Sequence, residues 1–368
     1  MTTGRLAAFP PGVKNEMEIR EIPVPDPARG EILIRVTRAN VCGSDLHFWR
    51  GDIDLSRFMS EPTVLGHEMC GRIAAVGEGV RTDSAGAPLA EGDRVVYRYF
   101  SPCGRCGACL RGFTAACGQN LIFQIRQCTQ PPYFVGGFAD YYMLPAGQAV
   151  FKVPDELSDD LVSGVNCAVA EVMEGLTRGG VGPGDVVVIQ GAGGLGLYAT
   201  ALARYMGATR VIVIDGVGDR LSLAREFGAH DTIDIGEYPD AGARSARVRE
   251  MNAGQGADVA VEVAGFPDAF TEGVAILGQG GRYVEIGNIS MGMTTTFDPA
   301  QVTLGNKTVF GVAFYEALAI KRSLEFLAAT RDRVPYDKLI STPYPLEKIN
   351  EAFTDSDERR VARATIVP

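Results

Sequence analysis

The chain has 368 residues, a hydrophobic fraction of 46% and a formal net charge of −10, enough apolar material for two domain cores. The acidic balance disfavours nucleic acid as a partner, and the 35 basic residues form no polybasic block. No apolar run approaches the roughly 18 residues of a membrane-spanning helix, and the opening Met-Thr-Thr-Gly-Arg carries no apolar leader, so the cytoplasm is the expected compartment.

The first 160 or so residues alternate over short runs, Glu31 to Thr37, Ile73 to Val76 and Arg94 to Tyr97, broken by Gly and Pro. That rhythm predicts an irregular β-rich domain. The glycine-rich stretch from Gly66 to Gly79 predicts tight turns. Within this region, Cys42-Gly43-Ser44-Asp45-Leu46-His47 and Gly66-His67-Glu68 gather polar residues. Thiolate and imidazole are zinc ligands, and a catalytic zinc keeps one position open. Cys42 and His67 are therefore ligand candidates. Asp45 and Glu68 are candidates to accept the second N–H of the imidazole. Taken alone, a lone Cys and a distant His would read as a buried thiol and a core imidazole. The polar neighbours, and a second cysteine motif downstream, favour zinc. Ser44 and His47 are candidates for a proton relay, against the plainer readings of a turn hydroxyl and a surface residue. Trp49, Tyr99 and Phe100 either line a substrate pocket or pack in a core.

Cys103, Cys106, Cys109 and Cys117 follow, separated by glycine-bearing spacers. Four thiolates suit a closed, structural zinc tetrahedron. Two disulfides are the alternative, and they need an oxidising compartment. Cys70 and Cys128 read as small buried hydrophobes.

From Asp185 the pattern changes. Asp185 to Gln190 reads as a buried strand, Leu197 to Met206 as a helix ending at Gly207, and Val211 to Ile214 as the next strand. Between the first two lies Gly191-Ala192-Gly193-Gly194-Leu195-Gly196. Its glycines permit the turn, the approach of a pyrophosphate to backbone and close helix–strand packing. Asp215 ends the second strand, where a carboxylate would accept ribose hydroxyls and repel the extra phosphate of NADP. NAD is therefore the expected cofactor. Arg220 is a candidate cofactor-binding residue that could be raised as a phosphate ligand for NADP but is compatible with ribose binding too, and a helix-capping turn is the plain alternative for Asp215. Asp219 to Phe227, Asp258 to Val263, Pro267 to Leu277 and Arg282 to Ile286 continue as helix, strand, helix and strand. Asp231 to Gly256 reads as surface loop and helix, and Ala317 to Ala329 as a helix. The alternation predicts an α/β fold with a doubly wound parallel sheet.

The cysteine quartet, the Cys42 and His67 motifs, the glycine turn with Asp215, and Tyr344 to Phe353 near the C-terminus together resemble the zinc-containing medium-chain alcohol dehydrogenase family, nearly end to end. The resemblance implies a GroES-like catalytic domain over residues 1–167, a Rossmann NAD-binding domain over 168–313 and a return to the first domain over 314–368. It implies that Cys167 is the third ligand of a catalytic zinc, giving two zinc ions per chain, and that Arg363 contacts the cofactor pyrophosphate. The implied reaction is reversible oxidation of an alcohol, secondary or polyol-like, by a homodimer or homotetramer. Zinc would acidify the alcohol and NAD⁺ would take the hydride. Glu171, where relatives carry a small or hydroxyl residue, and a long segment from Asn120 to Gly137 depart from the family pattern. Two rival functions remain open at this level: metal-free reduction of an activated carbonyl or enone, and dinucleotide binding without turnover in a zinc-stabilised protein.

Overall fold

A computed structural model describes residues 2–122, 126–339, 342–361 and 363–368. The chain divides into two compact units, one of residues 1–167, 316–328 and 336–368, the other of residues 168–315 and 329–335. Residues 314–315 and 329–335 thus group with the second unit, apart from the rest of the C-terminal segment.

The first unit is built on a seven-stranded sheet in the spatial order Thr342–Pro345, Ala364–Val367, Ile32–Asn40, Glu68–Val76, Arg94–Tyr97 and Val150–Lys152, with Tyr141–Leu144 also paired to Ile32–Asn40. Its core holds Leu6, Phe9, Ile34, Val95, Tyr142, Phe353 and Ile366, so C-terminal residues complete a core begun by the N-terminal third. The Gly66-to-Gly79 stretch is mostly the Glu68–Val76 strand, not a series of turns. Gly66 and Gly79 do turn, each with φ of +90°. Gly71 lies inside the strand because a Cβ there would come within 2.3 Å of the Arg35 carbonyl oxygen. Close approach of the paired strand explains that glycine.

The second unit carries a six-stranded parallel sheet, ordered Asp231–Asp234, Arg210–Asp215, Val186–Gln190, Ala257–Glu262, Leu277–Glu285 and Thr308–Gly311. Its central strands are β-branched and buried, as strands covered on both faces must be. Helices Gly194–Tyr205, Gly218–Glu226, Ala241–Met251 and Pro267–Ile276 connect them. The strand order reverses between Val186–Gln190 and Ala257–Glu262, and doubly wound sheets bind ligands at that point, outside the carboxyl ends of the strands. The polar stretch from Asp231 to Gly256 holds the Asp231–Asp234 strand as well as a helix. Only Ile233 of that edge strand is buried, so it shows no apolar run. The first helix begins at Gly194, three residues before the apolar pattern that announced it. Among the described residues, no helix is long and apolar enough to cross a membrane.

Candidate metal centres and dinucleotide loop

The four sulfurs of Cys103, Cys106, Cys109 and Cys117 lie within 4.8 Å of one another. Cys106 Sγ is 3.5 Å from Cys109 Sγ and 3.8 Å from Cys117 Sγ. A zinc tetrahedron with Zn–S bonds of about 2.3 Å has an edge of about 3.8 Å, so the sulfurs stand where zinc would hold them. Backbone N–H groups of Cys103 and Gln119 point at Cys117 Sγ, and that of Cys106 at Cys103 Sγ, the donor pattern that thiolates need. Gly104, at φ +69°, supplies the turn. The Cys109 N–H and thiol draw the Cys106 thiol down to about 6, whereas burial, followed by its thiol neighbours, pushes Cys109 up to about 12. A cation placed among the four sulfurs would favour their thiolate forms. The lobe is tied down by Glu316, which accepts from the Thr114 hydroxyl and from the Ala115 N–H at 2.8 Å.

The second cluster is assembled from three distant segments. Cys42, His67 and Cys167 bring their ligand atoms within 4.8 Å of one another, with the Cys42 and Cys167 sulfurs 4.0 Å apart. Cys42 caps the helix Gly43–Arg50, and Asp45 Oδ2 accepts from the Cys42 N–H at 3.0 Å. The other oxygen of Asp45 accepts from the Gly66 N–H at 3.1 Å and meets His67 Nδ1 at 3.3 Å. Asp45 is fully buried, so one carboxylate holds two ligand segments and the tautomer of His67. Nε2 of His67 is then left for the cluster. The Ser44 hydroxyl lies 3.2 Å from it and 3.4 Å from Cys42 Sγ. A hydrogen bond from Cys167 holds the Cys42 thiol well below its ordinary range against burial, helped by His67. Burial opposes charge on His67, yet Asp45 and Cys42 raise it well above the usual imidazole value. Two sulfurs and one ring nitrogen fit zinc with a position left open.

Glu68 does not reach His67. It pairs with Arg363 and accepts from Asn40 Nδ2 at 3.3 Å. His47 Nδ1 meets Asp52 Oδ2 at 2.8 Å, a partner that no sequence motif marks. Tyr99 places its ring 4.9 Å from that of His67 and 5.1 Å from Phe100. Trp49 belongs instead to the core, edge-on to Phe353 with its indole N–H on the Asn15 carbonyl. Cys70 and Cys128 are both buried, and burial pushes the Cys70 thiol up to about 12. Glu171 is half-buried in the helix Ala170–Arg178. Of the Asn120-to-Gly137 segment, residues 123–125 lie outside the described residues.

In the second unit, Gly191 has φ +105°, and a Cβ on Gly196 would fall 1.9 Å from the Gly191 carbonyl oxygen. A Cβ on Gly193 or Gly194 would meet nothing within 4 Å. Gly191 and Gly196 close the turn, while Gly193 and Gly194 face open space. Gly193 caps the helix Gly194–Tyr205 without any side-chain bond, so Gly194, Leu195 and Gly196 present backbone donors with no side-chain cap. Such an end is ready for a phosphate. Asp215, at the end of its strand, accepts from the Ala192 N–H at 2.7 Å and the Val217 N–H at 2.9 Å. Arg220 is exposed on the helix Gly218–Glu226. The residues present therefore fit a dinucleotide. Glu262, unnoticed in the sequence, ends its strand and accepts N–H bonds from Ala264, Gly265 and Gly287 at 2.6, 2.6 and 2.9 Å. Burial and then Glu285 push its carboxyl up to about 8.

Comparison with known proteins agrees with this architecture. Residues 28–155 match the alcohol dehydrogenase GroES-like domain, and residues 194–329 match the zinc-binding dehydrogenase model. The 5-exo-hydroxycamphor dehydrogenase of Pseudomonas putida is 35% identical over 341 residues, 92% of each chain. An alcohol dehydrogenase from Thermotoga maritima superposes with a TM-score of 0.93 at 28% identity over the whole of both chains. A structure from Sinorhizobium meliloti, solved with NADP bound, superposes with a TM-score of 0.85 at 26% identity over the whole of both chains. The chain belongs to the zinc-containing medium-chain alcohol dehydrogenase family.

Proposed function

We propose that this chain catalyses the reversible, NAD-dependent oxidation of an alcohol, secondary or polyol-like, to the ketone or aldehyde, with two zinc ions per chain. The observation that carries the reading is the Cys42, His67 and Cys167 cluster with the Ser44 hydroxyl beside it. Zinc bound there lowers the pKa of an oxygen ligand. Cys42, His67 and Cys167 would hold the ion, and Asp45 would keep the His67 ring turned toward it. Ser44 Oγ would take the alcohol's proton while giving up its own hydroxyl proton to a water chain leading to His47, which is held by Asp52 and would release a proton to solvent. The aromatic face of Tyr99 beside His67 would exclude water from the reacting oxygen. Likeness to a 5-exo-hydroxycamphor dehydrogenase supports an alcohol as the substrate.

NAD is favoured over NADP because Asp215 places a carboxylate at the loop that would carry the adenosine ribose. Gly191, Gly193, Gly194, Leu195 and Gly196 would line the pyrophosphate. Arg363, already bonded to Glu68, would be its late arginine. Exposed Ile289, Met291 and Met293 support assembly into a homodimer or homotetramer. The test is a panel of primary alcohols, secondary alcohols and polyols with NAD⁺ and NADP⁺, followed by cofactor absorbance. Turnover of the secondary or polyol members with NAD⁺ is expected. Turnover of none of them, with zinc bound, would contradict the reading.

A further inference from the structure

Asn166 directly precedes the third candidate ligand and is fully buried. Its Nδ2 donates to the carbonyl of His67 at 2.8 Å, and its Oδ1 accepts from the N–H of Met69 at 3.2 Å. These bonds join residues 99 and 97 positions apart in sequence. The strand Glu68–Val76 begins at this point. One of its edges is paired to Ile32–Asn40 from Glu68 onward, but its other neighbour, Arg94–Tyr97, pairs only at Gly71 and Arg72. Among the described residues, no strand lies beside that second edge over residues 67–69. The side-chain amide of Asn166 takes the place of a peptide group there, supplying one donor and one acceptor in the order a parallel neighbour would.

The consequence falls on the candidate metal centre. Cys167 lies in a single π-helical turn, Val165–Val169, whose sequence position alone does not fix its distance from His67. Asp45 ties the Cys42 segment to Gly66 and His67 from one side. On the other side, Asn166 joins His67 to the segment that carries Cys167 by bonding the backbone of His67 and Met69. We infer that Asn166 is a positioning residue that sets the His67–Cys167 spacing of the catalytic metal site. It touches neither the metal nor the substrate. It acts through the two ligands that it holds in register.

This inference rests on reading Cys42, His67 and Cys167 as a metal site, and the experiment separates the two claims. Wild-type protein, Asn166→Ala and Asn166→Asp are compared by zinc retention against a graded chelator and by the absorption spectrum after Co²⁺ exchange. Asn166→Asp keeps the acceptor for Met69 and loses the donor to His67. Both variants should lose one zinc about tenfold more readily than wild type, the scale typical of outer groups that orient ligands. They should retain the second, four-sulfur zinc, and the thiolate–Co²⁺ bands of the three-ligand site should shift. Retention of the four-sulfur zinc with native circular dichroism shows that the lobe is folded. If Asn166→Ala does not fold, Asn166→Asp decides alone. Wild-type metal affinity and an unchanged Co²⁺ spectrum in the Asp variant would overturn the role of Asn166. A wild type that binds only the four-sulfur metal would instead overturn the metal site itself.

Discussion

The two cysteine clusters reach similar sulfur spacings by opposite routes. The quartet from Cys103 to Cys117 is gathered by one stretch of chain, with a glycine turn and backbone N–H groups aimed at the sulfurs. The cluster of Cys42, His67 and Cys167 draws on three segments and is held by buried side chains, above all Asp45 and Asn166. A local site with no open position can stiffen a lobe but leaves nowhere for substrate. A site assembled through the tertiary fold can leave a position free, and its geometry then depends on every strand that carries a ligand.

The comparison breaks first at Cys42→Ser. Turnover should fall by about a thousandfold or more, since the metal at an open site is worth several kcal/mol to the transition state. Its melting temperature should stay near wild type. Cys106→Ser should do the reverse in kind, lowering the melting temperature by roughly 5–10 °C, because structural zinc contributes directly to folding. Calorimetry and initial rates on both proteins check the pair. An equal loss of stability in the two would merge sites that this account separates.

How much of this was legible in the sequence follows from range. The quartet, the glycine turn and Asp215 are local patterns, since their partners lie within a few residues or one βα unit. The Asp231–Asp234 strand was missed because an edge strand buries only Ile233, and no apolar run betrays it. The first half of the Glu68–Val76 strand was obscured by Gly71, which is there for close strand approach rather than for a turn. Asn166, Asn40 and Asp52 carry no motif, and their roles exist only because topology brings distant backbone or side chains to them. Arg363 came from the family resemblance, and its bond to Glu68 from the fold.

Smaller effects sharpen the contrast with the second unit. Asp215→Ala should weaken NADH binding about tenfold, or 1.4 kcal/mol, measured by fluorescence titration. A gain in NADH affinity would remove Asp215 from the ribose site. His47→Ala should slow turnover about tenfold, and added imidazole should restore part of the rate. No loss of rate would take His47 out of the relay.

A separate effect is on the pH dependence of stability. Glu262 has its folded value raised to about 8, above the roughly 4.3 of an unfolded glutamate. The folded state therefore binds more protons between those values. The stability this contributes is complete below about pH 4 and is lost as pH rises through about 8. Melting temperature should decline from about pH 5 to pH 8, and Glu285→Gln should flatten the decline by removing the second cause of the shift. A steeper decline in the variant would contradict this reading.

Two zinc ions held by one chain at sites of different kinds would show first in the metal content. Protein purified without chelator is analysed for zinc as wild type and as Cys42→Ser, with the four-sulfur cluster intact in both. About two equivalents are expected in the wild type and about one in the variant. About one equivalent in both, with full activity in the wild type, would contradict that expectation.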